Sequence, residues 1–303
     1  MATERIGFIG LGSMGGAIAE RFVEAGVPLV VCDRNPANLE RFRGMGVRSV
    51  PTPREVADLS DIVLSCLPSP EASLEVALGD EGIVHGTGVA VYIETSTIGI
   101  KAASAIAEGL APKIGFVDAP VSGGPPGARA GTLSTMASGA RDHFERARET
   151  LSVMAKNVFF IGEKPGSAQT AKLINNHLST AGRLAAFEGL VMAMKAGLDL
   201  PTLIEVINKS SGRNYTTTDK IHSAILSGTF KFNGQLSISI KDEGLLLDEA
   251  RDLGVPLWVA PRLLETLQEA AGNGYLEKDS MWLIQYMGEQ AGIDVKELMT
   301  KGS

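Results

Sequence analysis

The sequence predicts an α/β fold: a doubly wound parallel sheet domain followed by an all-α domain. In the first half, short apolar runs alternate with segments of helical periodicity, which is typical of a parallel sheet covered by helices on both faces. After Gly162 strand signals almost disappear, and the proline-free stretch from Gly166 to Ala196 carries apolar residues at helical spacing. We therefore expect one domain at residues 1–162 and a second at residues 163–303, joined by a long helix.

The individual elements follow from the same patterns. The strand candidates are Ile6–Ile9, Leu29–Val31, Ile62–Leu67, Val89–Ile93, Phe116–Val117, Leu133–Ala137 and Val158–Ile161. The helix candidates of the first half are Met14–Ala25, Ala37–Arg43, Pro70–Leu78, Lys101–Leu110 and Arg141–Met154. Those of the second half, after the long helix, are Pro201–Lys209, Thr217–Leu226, Asp242–Leu253, Pro256–Ala271 and Met281–Gln290. A helix over residues 166–196 would span about 46 Å, enough to tie two domains together.

Composition limits the classes of function. The chain has 303 residues, 44% of them hydrophobic, and a net charge of −7, which disfavours nucleic acid and anionic membranes as partners. An anionic substrate would therefore need local cationic groups. We see no signal peptide and no apolar run of membrane-spanning length, so we expect a cytoplasmic protein.

Cysteine and histidine usage gives no sign of a disulfide or a metal site. Cys32 and Cys66 both lie in apolar runs and are interpreted as small buried hydrophobes in a reducing compartment. The four histidines include no pair at helical ligand spacing, so we expect no zinc site.

A glycine-rich turn joins the first strand to the first helix. Gly10 allows the tight turn, Gly12 lets the backbone approach a pyrophosphate, and Gly15 allows the helix to pack closely on the strand. The start of the helix offers free N–H groups to the phosphates. Asp33 lies 23 residues after Gly10, at the end of the second strand, where a carboxylate binds a ribose 2′-hydroxyl. This combination predicts a Rossmann-type dinucleotide-binding domain.

The neighbourhood of Asp33 bears on the choice of cofactor. A carboxylate repels the 2′-phosphate of NADP, so Asp33 favours NAD. The next residue, Arg34, has a guanidinium that either clamps such a phosphate, stacks on adenine or is simply solvated. We expect NAD, with NADP as the alternative.

Two further segments carry groups suited to an anionic substrate. Ser122, Gly123 and Gly124 offer a hydroxyl and unshielded backbone N–H groups, which form either an anion cradle or a flexible loop. Lys172 and Asn176 stand at i and i+4 on one face of the long helix. A lysine near an apolar wall and a cationic nicotinamide ring would be suited to proton transfer near neutral pH; an ordinary surface lysine is the alternative.

Four ordered motifs make the chain resemble β-hydroxyacid dehydrogenases of the 3-hydroxyisobutyrate dehydrogenase type over nearly its whole length. The motifs are Gly10–Gly15, Asp118–Gly124, Gly166–Asn176 and Lys241-Asp242. The resemblance implies hydride transfer between NAD(P) and a small β-hydroxy acid or its semialdehyde, with Lys172 as the general acid and base. It also implies that Lys241 reaches the cleft near the cofactor and that Asp242 positions it.

The motifs and the resemblance together give a set of binding residues. Those for the substrate are Ser122, Gly123, Gly124, Asn176, Lys241 and Arg213. Those for the cofactor are Gly10, Leu11, Gly12, Ser13, Met14, Gly15, Asp33, Arg34, Leu67, Pro68, Thr97 and Lys241. Arg213 either reaches the distal part of an anionic substrate or is a solvated charge at a helix end. Members of the family usually continue Lys-Asp with Leu, whereas Glu243 and Gly244 follow here, which leaves the local packing open.

Three other functions are consistent with parts of this pattern. Imine reductases resemble the chain but usually lack the lysine at position 172. Non-catalytic relatives that serve as nucleotide-binding scaffolds have also lost it. A 6-phosphogluconate dehydrogenase would require a much longer C-terminal region. Because the second half is apolar, we also expect a homodimer or homotetramer.

Overall fold

The computed structural model describes residues 4–232 and 234–301. The chain divides into two compact units, the first ending at Lys172 and the second beginning at Leu173. The first unit is built on a mostly parallel sheet and the second is helical, which confirms the predicted fold class. Within the described ranges, no helix combines the length and apolar character that crossing a membrane requires.

The sheet of the first unit holds nine strands within the described residues. They are β1 (Ile6–Ile9), β2 (Leu29–Cys32), β3 (Arg48–Ser49), β4 (Ile62–Ser65), β5 (Val91–Glu94), β6 (Gly115–Asp118), β7 (Val121–Ser122), β8 (Leu133–Ser138) and β9 (Ala155–Gly162). The order β3-β2-β1-β4-β5-β6 is parallel throughout, so the direction of winding reverses between β1 and β4. Strand β8 pairs antiparallel with β6 and β7, and parallel with β9.

Helices cover both faces of this sheet. They are α1 (Ser13–Glu24), α2 (Pro36–Glu40), α3 (Pro53–Leu59), α4 (Pro70–Leu78), α5 (Gly99–Leu110), α6 (Gly124–Arg129) and α7 (Arg141–Met154). Successive residues of a strand point to opposite faces. Accordingly, Phe8 packs in one apolar cluster with Phe22, while Ile9 packs in the other with Tyr92. Two buried faces explain why the central strands are continuous apolar runs in the sequence.

The second unit is a bundle of helices around its own apolar core. The long helix α8 (Ser167–Lys195) runs across the division between the units and is followed by α9 (Leu200–Asn208), α10 (Leu236–Asp252), α11 (Ala260–Ala270), α12 (Leu283–Gln290) and α13 (Val295–Lys301). Residues Thr216–Leu226 form a π-helical segment. Buried side chains of the core include Phe187, Ile221, Phe230 and Ile284.

Some elements escape prediction from the sequence pattern. Strands β3 and β7 have two residues each, too few to show any periodicity. Helix α10 begins at Leu236, six residues before the predicted start at Asp242. The alternation Ser237-Ile238-Ser239-Ile240 hides its first turns, because that pattern has the period of a strand.

Candidate active site

The polar segments after β1, β4, β5 and β6 follow the carboxyl ends of neighbouring parallel strands. In open parallel sheets, ligands bind beyond these ends, at the point where the winding reverses. Here that point lies between β1 and β4, which are followed by Gly10 and by Leu67. Thr97 follows β5, and Ser122 follows β6. The topology therefore places four segments that carry predicted site residues at one edge of the sheet.

The glycines of the first turn have different roles. Gly10 has a φ of +88°, and a Cβ there would lie 2.4 Å from the carbonyl oxygen of Cys66. A Cβ on Gly15 would lie 2.0 Å from the carbonyl oxygen of Gly10. Around Gly12, by contrast, a Cβ would meet no described atom within 4 Å. Gly10 and Gly15 are thus required by packing, whereas Gly12 keeps the space before the start of α1 clear of side-chain atoms.

Asp33 ties the end of β2 to this turn. Its carboxylate accepts hydrogen bonds from Leu11 N at 2.6 Å, Asn35 N at 2.7 Å and Asn38 Nδ2 at 3.1 Å. Leu11 is fully buried, and its backbone N–H holds the Asp33 carboxylate beside the glycine turn. Arg34 is exposed, and no ion pair involves it in the part of the chain that the structure describes.

A buried chain of hydrogen bonds runs beneath the ends of β4 and β5. Ser65 Oγ lies 2.6 Å from Tyr92 OH, which donates to Glu94 Oε2 at 2.8 Å. Glu94 Oε1 accepts from Ser96 N at 2.8 Å, and Ser96 Oγ accepts from Leu67 N at 2.7 Å. Burial, followed by the charge of Glu94, raises the pKa of Tyr92 well above its ordinary value, so the phenol keeps its proton. The hydrogen bond from Leu67 N to Ser96 Oγ thereby ties the loop after β4 to this buried chain.

The segment Ser122–Gly124 has a backbone that only glycine adopts without strain. Gly123 and Gly124 have φ values of +130° and +65°, in the left-handed region that disfavours other residues. A Cβ on Gly123 would lie 2.9 Å from Leu133 Cδ2. Ser122 ends β7, and Gly124 begins α6. The segment therefore connects a short strand to a helix through two backbone conformations that favour glycine.

The side chain of Gln169 anchors the first turn of α8 to the sheet edge. Its Oε1 accepts from Ile98 N at 2.8 Å and Gly99 N at 3.1 Å. Its Nε2 donates to Ser96 O at 3.0 Å and to Asp118 Oδ1 at 2.6 Å. Gln169 is fully buried. Since these four bonds hold the start of α8 on the ends of β5 and β6, they also fix where the next turn, with Lys172, emerges.

Asp118 completes this anchor. Its Oδ2 accepts from Ser138 Oγ at 3.1 Å and from Gln169 N at 3.2 Å, and Ser138 Oγ in turn accepts from Ala168 N at 3.0 Å. Burial raises the pKa of Asp118 to about 7, although the bonds from Gln169 and Ser138 favour the carboxylate. Lys172, on the turn after Gln169, is only 7% exposed, which removes the alternative of an ordinary surface lysine.

In the second unit, a row of polar contacts joins α8 to α10. Asn176 Nδ2 donates to Asp242 Oδ2 at 2.7 Å, and Lys241 Nζ lies 2.9 Å from Asp242 Oδ1. One residue further along each helix, His177 Nδ1 lies 2.9 Å from Glu243 Oε2. Burial raises the pKa of Glu243, and the nearby His177 opposes that rise. The structure thus brings Asn176 and Lys241 together on Asp242, and Glu243 is buried at the position where leucine is usual in the family that the sequence resembles.

Comparison with known proteins shows what the whole chain is similar to. A family model described as the NAD binding domain of 6-phosphogluconate dehydrogenase matches residues 5–162. A second model, described as NAD-binding of NADP-dependent 3-hydroxyisobutyrate dehydrogenase, matches residues 166–299. The 2-(hydroxymethyl)glutarate dehydrogenase of Eubacterium barkeri is 31% identical over 96% of this chain and 97% of its own length.

The chain belongs to the β-hydroxyacid dehydrogenase family, of the 3-hydroxyisobutyrate dehydrogenase type. The mitochondrial 3-hydroxyisobutyrate dehydrogenase of Mus musculus is 31% identical over 94% of this chain and 87% of that protein. A solved structure of Mycobacterium tuberculosis 3-hydroxyisobutyrate dehydrogenase with L-serine has a TM-score of 0.85 at 26% identity, covering 94% of this chain and 99% of the other. As a member of this family, the chain is an NAD(P)-dependent dehydrogenase that acts on CH–OH groups.

The residues present fit a nicotinamide dinucleotide. The clear space at Gly12 lies at the N-terminus of the twelve-residue helix α1, where free N–H groups and the helix dipole favour a pyrophosphate. The Asp33 carboxylate lies beside this turn, with Leu67 and Thr97 on the loops that follow β4 and β5. Ser13 and Pro68 are exposed, and Met14 is half-buried.

Two parts of this candidate site are not singled out by the sequence. Gln169 lies inside the motif Gly166–Asn176, but that motif gives it no role of its own, and no motif covers the buried chain from Ser65 to Glu94. For Gln169 one signal was available, since it stands three residues before Lys172 and therefore on the same helix face. Arg213 is exposed, and within residues 4–232 and 234–301 no hydrogen bond or ion pair joins it to another residue.

Proposed function

We propose that this dehydrogenase interconverts a small β-hydroxy acid and its semialdehyde, with Lys172 as the general acid and base. One observation carries the assignment: the buried Lys172 stands one helical turn after Gln169. Four hydrogen bonds of the Gln169 side chain anchor this part of α8 at the carboxyl ends of β5 and β6. Relatives named 3-hydroxyisobutyrate and 2-(hydroxymethyl)glutarate dehydrogenase support the class of substrate.

In this mechanism the protein binds the acid and moves one proton. In oxidation, Lys172 Nζ accepts the proton of the substrate hydroxyl, and in reduction its ammonium returns a proton to the carbonyl oxygen. Ser122 and the N–H groups of Gly123 and Gly124 hold the substrate carboxylate, with Asn176 and Lys241 as further donors. NAD(P), when bound, supplies the hydride acceptor or donor. Burial of Lys172 limits competition from bulk water for the transferred proton.

For the cofactor we propose a preference for NAD. The Asp33 carboxylate accepts three hydrogen bonds that hold it at the end of β2, where its charge would oppose a 2′-phosphate. Arg34 beside it is the residue that would reduce this preference. Measuring kcat/KM with both cofactors tests the proposal, and equal values would contradict it.

The decisive experiment compares Lys172→Ala with Lys195→Ala, an exposed lysine at the other end of α8. Wild type is first screened against β-hydroxy acids and semialdehydes by absorbance of the reduced cofactor. We expect Lys172→Ala to lose at least about 100-fold in kcat, the usual contribution of a positioned acid or base, while its cofactor Kd changes little. Lys195→Ala should behave as wild type. Retention of most activity by Lys172→Ala would refute the assignment, and turnover of cyclic imines without turnover of hydroxy acids would favour an imine reductase.

We further propose a cytoplasmic homodimer or homotetramer, with a nucleotide-binding domain at residues 1–162 and a substrate and oligomerisation domain at residues 163–303. Exposed apolar side chains of the second unit support assembly, notably Trp258 at 85% and Met192 at 75% exposure. Fractionation of the native cells tests the compartment, and light scattering tests the assembly.

A further inference from the structure

Two further cationic side chains, both in the second unit, are buried. Arg183 lies on α8 and is 5% exposed, and Lys220 lies on the π-helical segment Thr216–Leu226 and is 6% exposed. Neither forms an ion pair with a carboxylate within the described ranges. Buried charges in proteins are normally paired, because removing a lone ion from water costs several kcal/mol.

The hydrogen bonds of Arg183 leave its charge uncompensated. Nη1 donates to Ser280 Oγ at 3.0 Å and Nη2 to Ser239 Oγ at 2.9 Å, both neutral hydroxyls. Its buried Nε has no acceptor among the described atoms. Burial lowers the pKa of Arg183 to about 10, and the charges of Asp279 and Glu243 oppose that fall only in part.

The nearby carboxylates are already engaged by other groups. Asp279 accepts hydrogen bonds from Phe232 N at 2.8 Å, Gly234 N at 3.3 Å and Met281 N at 3.0 Å. Glu243 contacts His177 at 2.9 Å. These groups therefore reduce the positive potential around Arg183 without directly pairing with the guanidinium.

Lys220 is the second positive charge, and two aromatic rings lie beside it. Its Nζ lies 5.0 Å from the ring centre of Tyr215 and 4.9 Å from that of Phe232. Burial, and then repulsion by Arg183, lower the pKa of Lys220 to about 8. Tyr215 is 49% exposed, so one wall of this cluster reaches solvent. Two neighbouring cations beside apolar ring faces suit an anionic group carried on a short carbon chain.

This cluster continues the row of polar contacts that includes the proposed substrate residue Asn176. Asn176 and Arg183 stand at i and i+7 on one face of α8, about 10 Å apart along the helix axis. Their partners on α10, Asp242 and Ser239, stand at i and i−3 on that helix. One seam between the two helices therefore carries both positions.

We propose that Arg183 and Lys220 bind a second acidic group of the substrate, which makes the preferred substrate a dicarboxylic β-hydroxy acid. The inference rests on the proposed function, in which Asn176 belongs to the site that holds the hydroxy-acid end. Tyr215 and Phe232 flank the carbon chain that leads to the distal carboxylate. Recognition of the distal end thus falls to the two buried cations, and the exposed Arg213 is not needed for it.

The test uses two compounds that share the same hydroxy-acid end. 3-Hydroxyisobutyrate carries a methyl group where 2-(hydroxymethyl)glutarate carries a carboxyethyl chain. We expect wild type to show a higher kcat/KM with the dicarboxylate. In Lys220→Met that value should fall at least about 10-fold, the effect of losing one charge-assisted bond, while the value for the monocarboxylate stays within about threefold. Lys278→Met is the matched control, because Lys278 also contacts two aromatic rings but is exposed.

A second measurement uses the wild-type protein alone, so it still tests the proposal if the Lys220 variant does not fold. Glutarate should inhibit oxidation of 3-hydroxyisobutyrate competitively, with a Ki at least about 10-fold below that of butyrate. Equal Ki values, or equal losses on both substrates in a folded Lys220→Met, would overturn the inference. Phosphate inhibiting as strongly as glutarate would also overturn it, because it would indicate a site for free anions. If wild type oxidises neither compound nor any other hydroxy acid, the proposed function itself fails.

Discussion

Both polar atoms of the buried Gln169 amide are fully hydrogen-bonded, so removing this amide should destabilise the fold. Gln169→Leu would leave Ile98 N and Gly99 N without acceptors and take a donor from Asp118. Each buried polar group without a partner costs about 1–3 kcal/mol, so we expect a loss of about 3 kcal/mol or more in the free energy of unfolding. Urea unfolding measures this loss. Gln268→Leu, at an exposed position of α11, is the control.

The same change should reduce catalysis separately from stability. Because Gln169 fixes the turn before Lys172, we expect kcat to fall in Gln169→Leu at temperatures where the variant is still folded. The Kd of NAD should change less, since Gln169 does not contact the glycine turn among the described contacts. A variant that loses stability but keeps full kcat would show that Gln169 has no positioning role.

Asp118 should make the stability of the fold depend on pH. Burial raises its pKa from the ordinary 3.8 to about 7, so the folded state holds a proton that the unfolded chain has released. Stability therefore falls as pH rises from about 4 to about 7, with a limiting slope of about 1.4 kcal/mol per pH unit. The free energy of unfolding of wild type minus that of Asp118→Asn should fall by about 2 kcal/mol between pH 5 and pH 7.

Subtracting the variant removes any constant cost of the asparagine, so only the slope matters. Asp58→Asn is the control, because hydrogen bonds from Thr87 lower the pKa of Asp58 and it should not titrate in this range. A flat difference for Asp118→Asn would show that the three donors around the carboxylate outweigh its burial.

At the scale of elements, two glycines near the start of α1 allow the effects of packing and of ligand binding to be tested separately. Gly15→Ala would place a Cβ 2.0 Å from the backbone of Gly10, so we expect a loss of about 2 kcal/mol or more in stability, as in other overpacked sites. Gly12→Ala meets no described atom within 4 Å. It should keep the stability of wild type and yet weaken NAD binding, because its methyl group would enter the space before the helix start.

Thermal unfolding and cofactor titration of the two variants check this separation. Gly189→Ala on α8, where a Cβ also meets no described atom within 4 Å, gives the baseline for a harmless methyl group and should slightly stabilise the helix. If Gly12→Ala binds NAD as tightly as wild type does, the turn is not the pyrophosphate site.

How far the sequence predicts each element depends on whether the element carries its own periodicity. The central strands and α8 were predicted within a few residues, because burial on two faces or along one helix face sets a pattern in the sequence. Helix α6 was missed, since Pro125 and Pro126 give its six residues no helical signal. Its first turn forms because proline is tolerated there.

The candidate site shows the same division. Glycines and Lys172 belong to spaced motifs, so the sequence predicts them. Gln169, Arg183 and Lys220 are different. Their proposed roles depend on contacts with residues that are distant in the chain, such as Asp118 for Gln169 and Ser280 for Arg183. Spacing can place Gln169 on the same helix face as Lys172, but no local pattern encodes contacts with such distant neighbours, which only the folded structure shows.

For the molecule as a whole, the net charge is negative, whereas the proposed sites carry positive charges that are mostly shielded from solvent. The net charge is −7, but four cations of the proposed sites, Lys172, Lys241, Arg183 and Lys220, are buried or half-buried. If these groups form the proposed sites, they are the local cations that an anionic substrate would need, because the overall negative field repels it.

The apolar surface of the second unit leads to a prediction about assembly. Between α10 and α11, Leu253, Val255, Trp258 and Val259 are 63%, 50%, 85% and 56% exposed. An exposed apolar cluster of this kind is typical of an interface between subunits, where tryptophan contributes a large share of the binding energy. We expect light scattering to give the mass of two or four chains for wild type. Trp258→Lys should shift this mass toward one chain at micromolar concentration, because a lysine ammonium would be buried without a partner.

Met45→Lys serves as the control, since Met45 is 48% exposed but belongs to the first unit; it should leave the mass unchanged. The assembly also affects how the other variants are assessed, because subunit association adds to apparent stability in a concentration-dependent way. Unfolding of Gln169→Leu and wild type should therefore be compared at one protein concentration. A wild type with the mass of a single chain across the micromolar range would rule out the predicted assembly and leave the exposed tryptophan without a role.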